Sequence, residues 1–231
     1  HIRRYVMTKF TFATSKEGFD NHIDKSVRGY SNLWSDILSL SKYFVEDNTN
    51  VVDIGCSTGK LLKGMIEQNQ KHIPKAKYMG IEIEEDFYGD YVFDEQKFDN
   101  LRYHKGDVRS FEFNNCSLVT SIFTLQFMPP KDREEVINRV YNGLNVGGAF
   151  IFSEKTFSCN PRIQDMMTFT YYDYKRKNFT DAEILDKEVQ LRHMMKPNTK
   201  TELYDMFTNA GFEVHNFWQN FNFIGAIALK K

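Results

Sequence analysis

The chain has 231 residues, with 30 Lys and Arg against 31 Asp and Glu and a formal net charge of -1. This balance gives no support to nucleic-acid binding driven by overall charge, although a local basic face stays open. Hydrophobic residues make up 41% of the chain and aromatic residues 15%, which argues against disorder and supplies a large core. The three cysteines form no CxxC pair, so the sequence predicts neither a disulfide framework nor a metal site and favours a reducing, cytoplasmic compartment. No apolar run approaches the roughly 18 residues of a membrane span.

Apolar runs and amphipathic segments alternate along the chain. Recurrence every three to four positions predicts a helix, and short β-branched or apolar runs predict buried strands. In chain order the predicted elements are a helix over 32–45, a strand over 50–55, a helix over 60–70, strands over 77–83, 101–106 and 117–123, a helix over 131–144, a strand over 149–153, mostly helical structure over 160–195, a helix over 199–209, and closing strands over 217–223 and 225–229.

Three further expectations concern the segments between these elements. The first 20 residues have no clear period, Gly147 and Gly148 are expected to break the chain, and the carboxylates at 84–86 are expected to begin an exposed helix. Strands that alternate with helices imply crossover connections and a parallel sheet covered on both faces. Such sheets bind ligands at the carboxyl ends of their strands, so functional residues are expected there.

The strongest local signal lies at residues 51–59, which read Val-Val-Asp-Ile-Gly-Cys-Ser-Thr-Gly. A strand ends near Asp53, and a turn with Gly55 and Gly59 leads into a helix, where glycines and free N–H groups let a ligand approach the backbone. The spacing matches neither a phosphate-binding loop nor a dinucleotide-binding loop. It suits a cofactor with a cationic ammonium group; the alternative is a tight strand-to-helix turn without a ligand.

Two more acids follow at the ends of the next two predicted strands. Glu82 can accept both hydroxyls of a ribose, and Asp107 can accept the exocyclic amine of adenine. Their alternatives are a solvated acid and a turn residue. Together with Asp53 they describe a pocket for a nucleoside joined to an amino acid.

This order of acids and glycines resembles the class I S-adenosylmethionine-dependent methyltransferases. A closer resemblance, to the carboxy-S-adenosylmethionine synthase family, runs from about Phe19 to Lys230. It is carried by Lys25–Asn32, Phe123–Phe127, Tyr141–Ala149, Ser153–Lys155, Asp173–Arg176 and Phe221–Phe223. Segments such as Phe-Thr-Leu-Gln-Phe and Ser-Glu-Lys are not general methyltransferase features, so the resemblance is specific.

The resemblance implies an α/β fold with a seven-stranded, mostly parallel, Rossmann-like sheet, helices on both faces and an antiparallel C-terminal strand. We expect one domain over 1–231, with an N-terminal extension over 1–18 and a helical insertion over 156–195 that can serve as a lid. The family is usually dimeric, so a homodimer is implied. It converts S-adenosylmethionine and the small molecule prephenate into carboxy-S-adenosylmethionine and phenylpyruvate. The product serves an enzyme that modifies a wobble uridine in transfer RNA.

The cofactor implied by the resemblance is S-adenosylmethionine or its carboxylated form. The residues expected to bind it are Tyr30, Asp53, Gly55, Cys56, Ser57, Gly59, Glu82, Ile83, Asp107, Val108 and Ile122.

Three departures from the family fall at the reaction end of the expected pocket. Glu188 stands where the family has an arginine that holds the extra carboxylate, and an acid there would repel that carboxylate. Lys187 or Arg192 takes this role if the register shifts. Ile122 replaces a family asparagine and Arg28 replaces a proline. We therefore expect retained cofactor binding with altered chemistry.

Three hypotheses about function follow. The first is an S-adenosylmethionine-dependent transferase that acts on a small acceptor, with Tyr30, Tyr172 and Glu188 as candidate catalytic residues. The second is a true carboxy-S-adenosylmethionine synthase that uses prephenate through a substitute cation. The third is a non-catalytic homologue that keeps the cofactor pocket.

Other features carry weaker alternatives. The basic run 175–177 lies among tyrosines, which is typical either of a stacking site for nucleic acid or of a solvated helix face, and we favour the latter. Cys56 is either a reactive thiol or a small loop residue, and His193 is either a base or a structural side chain. In both cases we favour the structural interpretation.

Overall fold

The computed structural model describes residues 19–231, so the expected N-terminal extension over 1–18 lies outside the described residues. The helices are α1 (Phe19–Ser26), α2 (Tyr30–Ser41), α3 (Lys60–Asn69), α4 (Tyr91–Lys97), α5 (Pro130–Gly143), α6 (Pro161–Lys175), α7 (Asp181–Met194) and α8 (Lys200–Asn209). The strands are β1 (Asn50–Ile54), β2 (Lys77–Glu82), β3 (Leu101–Lys105), β4 (Cys116–Ile122), β5 (Leu144–Phe157), β6 (Asn198–Thr199), β7 (Glu213–Asn220) and β8 (Phe223–Leu229). Short 3-10 helices cover Glu85–Asp90, Val108–Ser110 and Leu125–Phe127.

The seven long strands form one twisted sheet in the order β3-β2-β1-β4-β5-β8-β7. The neighbours from β3 to β5 pair in parallel, whereas β8 runs antiparallel to both β5 and β7. The two-residue β6 pairs with the end of β5. The predicted fold class, a mostly parallel α/β sheet with an antiparallel C-terminal strand, is therefore confirmed.

Helices cover both faces of the sheet, which explains why the central strands β1 and β4 are buried along almost their whole length. Successive side chains of a strand point to opposite faces. Leu118 and Ile151 thus join the core beneath α2 and α3, whereas Val119 and Phe150 join the core beneath α5 and α8. Much of the phenylalanine excess lies in the second core, where Phe152 stacks on the ring of α8 residue Phe207 at 3.9 Å.

The stretch over 160–195, predicted only as mostly helical, forms two helices that begin at distinct caps. The Asn160 side chain accepts a hydrogen bond at the start of α6, and Pro161 occupies the first turn. At α7, Thr180 and Glu183 form a reciprocal capping box. The single-domain prediction and the lid role of this stretch stay predictions.

One local prediction was wrong, one was refined and one helix was missed. Gly147 and Gly148 do not break the chain: β5 continues through them, because Lys230 satisfies their backbone groups with bonds of 2.8 and 3.0 Å. The acids at 84–86 lead into a 3-10 helix over Glu85–Asp90. The short helix α4 follows it, held by the buried ring of Tyr91, and no period in the sequence predicted it.

Two boundaries also moved. The helix predicted over 32–45 spans Tyr30–Ser41, because Gly29 adopts a left-handed conformation just before it. The closing strand predicted from residue 217 begins at Glu213. Among the described helices, none is both long and apolar enough to cross a bilayer.

Candidate functional site

A cavity of about 760 Å³ opens at the carboxyl ends of β1, β2, β4 and β5. Helices α1 and α2 line part of the cavity, and α6, α7 and the residues after α7 line another part. Acidic side chains lie at the β1–β2 end, and the lysines of the lining, apart from Lys60 at the start of α3, lie toward the β5 end. The cavity is therefore polarised along its length.

The turn after β1 depends on its glycines. Gly55 and Gly59 have φ values of 72° and 69°, in the left-handed region. A Cβ on Gly55 would collide with the Thr124 side chain, and one on Gly59 with the Tyr103 hydroxyl. The packing around the turn thus requires both glycines whether or not a ligand is bound, and only Gly55 reaches the cavity wall.

Glu82 ties this turn to the end of β2. Its Oε2 accepts the Ser57 N–H at 2.8 Å, and its Oε1 accepts the N–H groups of Ile83 and Glu84 at 2.9 Å each. Burial raises the pKa of the Glu82 carboxyl, while these three backbone donors oppose the rise. The carboxylate is therefore fixed at the cavity wall before any ligand arrives, as a group that accepts ribose hydroxyls must be.

Asp53 lies deeper, at the end of β1. Its Oδ1 accepts the Thr120 hydroxyl at 2.7 Å, and the residue is 4% exposed. Burial raises the pKa of this carboxyl to about 7; repulsion from Glu82 adds to the rise, and the Thr120 hydrogen bond opposes it. A cationic ammonium group bound in this part of the cavity would favour the ionised form, so the site fits the amino group of an amino-acid cofactor.

Two cavity residues hold strained backbone conformations. Ser57 and Phe123 have φ values of 45° and 54°, although neither is glycine. Both line the cavity, in the turns that follow β1 and β4. Such strain is maintained only where the surrounding structure over-determines it, as it does at binding sites.

Cys56 lines the cavity but is packed away from reactive surroundings. Its Sγ lies 3.6 Å from the Tyr91 hydroxyl, and the Tyr91 ring stacks on Tyr103 at 3.6 Å. Burial raises the pKa of the Cys56 thiol, which leaves the reactive thiolate unpopulated. The geometry therefore favours the small loop residue over the reactive thiol.

Asp107 is not brought to the cavity wall. Its Oδ1 accepts the Arg109 N–H at 2.8 Å, and its Oδ2 accepts the Arg109 guanidinium at 2.6 and 2.9 Å. This pairing lowers the pKa of the Asp107 carboxyl. Val108 packs into the core beneath α5 and α8. The predicted contacts of Asp107 and Val108 with the cofactor stay predictions.

Tyr30 and Ile122 lie at the start of α2 and the end of β4. Both line the cavity, and the Tyr30 ring lies 6.2 Å from that of Phe123. Of the three candidate catalytic residues, Tyr30 is the one on the wall, whereas Tyr172 and Glu188 lie outside it. All three roles stay predictions.

Glu188 lies behind the β5 end of the cavity and contacts two lysines of the wall. Its carboxylate oxygens lie 3.8 Å from Lys155 Nζ and 3.6 Å from Lys175 Nζ. Both ammonium groups also lie 4.9 Å from the centre of the Tyr171 ring. The acid is thus neutralised by partners and does not project toward a ligand as an isolated like charge.

Burial lowers the pKa of Lys155 and of Lys175, and Glu188 opposes the fall in both. A third lysine of the wall, Lys187, has its pKa lowered to about 8, mainly by burial and further by Lys175. Glu188 thus offsets part of the charge of Lys155 and Lys175, and Lys187 adds a third lysine to the same wall. This end of the cavity suits an anion.

Several wall residues were not predicted from the sequence. Lys155 and Lys175 lie inside the Ser-Glu-Lys and Asp-Tyr-Lys-Arg segments named above. The sequence therefore contained both residues among its motifs, but it did not predict that they line the same cavity. Gln126 lies inside Phe123–Phe127, and Lys60 lies over the Trp34 ring at 5.2 Å. The charged pair Glu154 and Lys155, which closely follows the apolar run 149–152, is the signal that could have found this wall. Within residues 19–231, no group of three His, Cys, Asp or Glu is placed to hold a metal ion.

The sequence of this chain is similar to those of known proteins. A family model described as a methyltransferase domain matches residues 51–148. The carboxy-S-adenosyl-L-methionine synthase of Staphylococcus epidermidis is 38% identical over 230 residues, covering 98% of this chain and 99% of the relative. The synthase of the same name from Shewanella oneidensis is 34% identical, covering 97% and 94%.

Solved structures share the fold at low identity. An O-methyltransferase family protein from Burkholderia thailandensis superposes with a TM-score of 0.62 at 15% identity, covering 95% of this chain and 61% of that one. Human N-acetylserotonin methyltransferase, solved with its cofactor, gives 0.54 at 15% identity, covering 85% and 51%. The chain spans only part of these two proteins, and they are similar to it in fold alone.

Proposed function

Because this chain belongs to the carboxy-S-adenosyl-L-methionine synthase family, we propose that it carboxylates the methyl carbon of S-adenosylmethionine, with prephenate as the carboxyl donor. The chain is an S-adenosylmethionine-dependent transferase with a class I methyltransferase fold. The proposal specifies which group is transferred and from what.

The polarised cavity is the observation that carries this proposal. Asp53 and Glu82 lie at one end, and Lys155 and Lys175 lie at the other. A cofactor with an amino group and a ribose fits the acidic end, and carboxylates fit the lysines. The departure at Glu188 does not remove this complementarity, because its charge is offset by the two lysines.

The residues at the acidic end fit S-adenosylmethionine. Glu82 is fixed at the cavity wall by three backbone N–H donors, and Asp53 is a buried acid whose ionised form a bound cation would favour. In the proposed complex, Asp53 accepts from the amino group, Glu82 from the ribose, and Tyr30, Ser57 and Ile83 line the remaining contact surface. When bound, the cofactor supplies a sulfonium whose positive charge acidifies and activates the attached methyl group.

The proposed reaction balances without an oxidant or a reductant. A carbon–carbon bond of prephenate breaks, and its carboxyl carbon forms a new bond to the methyl carbon. One methyl proton and the ring hydroxyl of prephenate leave together as water, as the ring becomes aromatic in phenylpyruvate. In this scheme Lys155 and Lys175 hold carboxylate oxygens, and the apolar part of the wall limits contact with bulk water.

A homodimer belongs to the same proposal. Apolar side chains are exposed on the outer faces of α6 and α7, including Met166 at 56%, Phe169 at 61% and Val189 at 60%. Large apolar side chains exposed in this number are typical of a subunit interface. Size-exclusion chromatography with light scattering measures the molar mass of the protein in solution. A monomer mass for the wild-type protein at micromolar concentration would contradict the proposed dimer.

Two broader expectations complete the proposal. The product would serve an enzyme that modifies a wobble uridine of transfer RNA, so this chain acts on small molecules rather than on the RNA. A cytoplasmic location is consistent with the three cysteines being free thiols.

The deciding experiment incubates the purified chain with S-adenosylmethionine, with and without prephenate, and analyses the cofactor by mass spectrometry. We expect a prephenate-dependent mass gain equal to one carbon dioxide, together with phenylpyruvate. Formation of S-adenosylhomocysteine with added small acceptors would instead support methyl transfer, which is the first of the three hypotheses drawn from the sequence. Cofactor binding without turnover of any substrate would favour the non-catalytic alternative.

A further inference from the structure

Gln126 is a buried polar residue of the cavity wall that the proposed chemistry has not yet used. It lies in the 3-10 turn Leu125–Phe127 that follows β4, and it is 6% exposed. It lines the same cavity as Lys155 and Lys175. A polar side chain so placed needs a hydrogen-bond partner, because an unsatisfied buried amide destabilises the fold.

The backbone of Gln126 is held by buried groups on three sides. Glu154, at the end of β5, accepts the N–H groups of Leu125 and Gln126 at 2.9 Å each. The Gln126 carbonyl accepts the Lys196 N–H at 2.8 Å and the Arg133 guanidinium at 3.2 Å. Glu154 and Arg133 are 2% and 1% exposed, so water does not compete for these bonds. The turn is consequently rigid.

The side chain of Gln126 has one permitted orientation. Its Oε1 accepts the backbone N–H of Lys155 at 2.8 Å. A backbone N–H can only donate, so the amide cannot be flipped, and Nε2 must occupy the other branch. No described residue accepts a hydrogen bond from Nε2, and this atom is not among the sealed polar atoms without a partner. Since Gln126 lines the cavity, this donor is accessible to a ligand there.

The charged side chains of the wall at this end of the cavity are hydrogen-bond donors. The ammonium groups of Lys155 and Lys175 lie at the same end of the cavity, and their nearest carboxylate, Glu188, lies behind the wall. An amide N–H donor in the same cavity as two ammonium groups matches an oxygen acceptor such as a carboxylate or a keto group. It does not match a cationic or a purely apolar ligand.

We propose that Gln126 is a binding residue for the second substrate, and that its carboxamide N–H groups donate to a carboxylate or keto oxygen of an anionic molecule. This inference rests on the proposed function, because it assigns the β5 end of the cavity to the carboxyl donor. Gln126 thereby orients the donor against the cofactor, while Glu154 and Arg133 position Gln126.

The test replaces Gln126 by Glu, because Q126E keeps an oxygen for the Lys155 N–H and loses both N–H donors. Binding of prephenate is measured by calorimetry on protein saturated with S-adenosylhomocysteine. We expect binding at least about tenfold weaker than in wild type, because N–H donors to a charged group are lost. The affinity for S-adenosylmethionine should stay within about twofold.

The matched control is Q164E. Gln164 also accepts a backbone N–H through Oε1, that of Ser158 at 2.8 Å, but it lies outside the cavity wall. Q164E should bind prephenate as wild type does. If Q126E fails to fold, judged by its melting temperature, Q126M takes its place with the same expected loss.

Each outcome decides the inference. Unchanged prephenate affinity in Q126E overturns it, as does a parallel loss of S-adenosylmethionine affinity, which would assign the amide to the cofactor. Absence of binding of both prephenate and phenylpyruvate to wild type also overturns it. A Gln126-dependent affinity without formation of carboxylated cofactor leaves the inference standing and contradicts only the proposed function.

Discussion

Glu188 Oε1 lies 3.6 Å from Lys175 Nζ, and both groups are largely shielded from solvent, with side-chain exposures of 13% and 4%. Glu188, which the sequence predicts to stand where the family has an arginine, is thus part of an internal ion cluster rather than a repulsive group in the cavity. It holds two lysines of the wall in place while it reduces their combined charge.

Replacement of Glu188 by Gln should separate these two effects. E188Q leaves two buried ammonium groups side by side, so we expect a loss of about 2 kcal/mol in the free energy of unfolding. The same change should tighten prephenate binding, because the lysines lose their internal counter-ion. Denaturant unfolding and calorimetry measure the two quantities, and the exposed Glu135→Gln serves as control. Looser prephenate binding in E188Q would contradict the role given to the lysines.

Substitution of Glu188 by Arg should not restore a family-like site. A third cation between Lys155 and Lys175 adds like-charge repulsion, so E188R should be less stable than E188Q. The comparison uses the same unfolding assay. An E188R protein more stable than wild type would show that the cluster has room to rearrange.

Asp53 predicts a pH dependence of cofactor binding. Its pKa is raised to about 7 in the folded chain, so ionisation increases from pH 6 to pH 8 and the affinity for a cationic amino group should rise with it. Calorimetry with S-adenosylmethionine across this range tests the trend. Asp53→Asn should weaken binding about tenfold and flatten the profile. A wild-type profile with no slope, or with the opposite slope, would remove Asp53 from this role.

The same carboxyl affects folding stability in a defined direction. Because the folded chain holds its proton more tightly than the unfolded chain does, the contribution of Asp53 to stability falls as pH rises from about 4 to about 7. Asp53→Asn should remove this part of the pH dependence. Denaturant unfolding of wild type and D53N at pH 5 and pH 8 gives the difference.

The turn after β1 should be intolerant of a side chain. Gly55→Ala combines a left-handed backbone with a collision against Thr124, so we expect a loss of about 3 kcal/mol and weaker cofactor binding. Gly147 is a matched control, since its φ is 84° but a Cβ there would meet no atom within 4 Å. Gly147→Ala should cost only about 1 kcal/mol. Equal losses in the two variants would mean that the backbone conformation alone matters.

The cysteines should differ in reactivity. Cys159 is exposed, whereas Cys56 and Cys116 are buried and burial raises the pKa of both thiols. A thiol reagent in native buffer should therefore label one site quickly, and Cys159→Ser should abolish that fast phase. Fast labelling of Cys56 would revive the reactive-thiol alternative.

Much of the fold follows from local sequence patterns. The β1 turn over 51–59 combines an apolar run, an acid and two spaced glycines, and each of these features acts on its immediate neighbours. The strand-helix alternation likewise predicts a parallel sheet, because a crossover connection is needed between parallel strands. The structural role of Asp107 also has a local cause. Its side chain accepts the Arg109 N–H at the start of a 3-10 helix, as an Asp at a helix N-cap does, and this agrees with the turn-residue alternative.

The sequence by itself determined the class of fold, the acidic end of the cavity and the family, because these depend on contiguous residues and on periodic burial. Only the tertiary structure decided the other end. Glu188 meets Lys155 and Lys175 because α6 and α7 pack over the end of β5, and no local pattern encodes that meeting. The orientation of Gln126 likewise depends on a backbone donor in a neighbouring strand. Contacts between distant segments arise from packing, so their chemistry becomes visible only once the chain is folded.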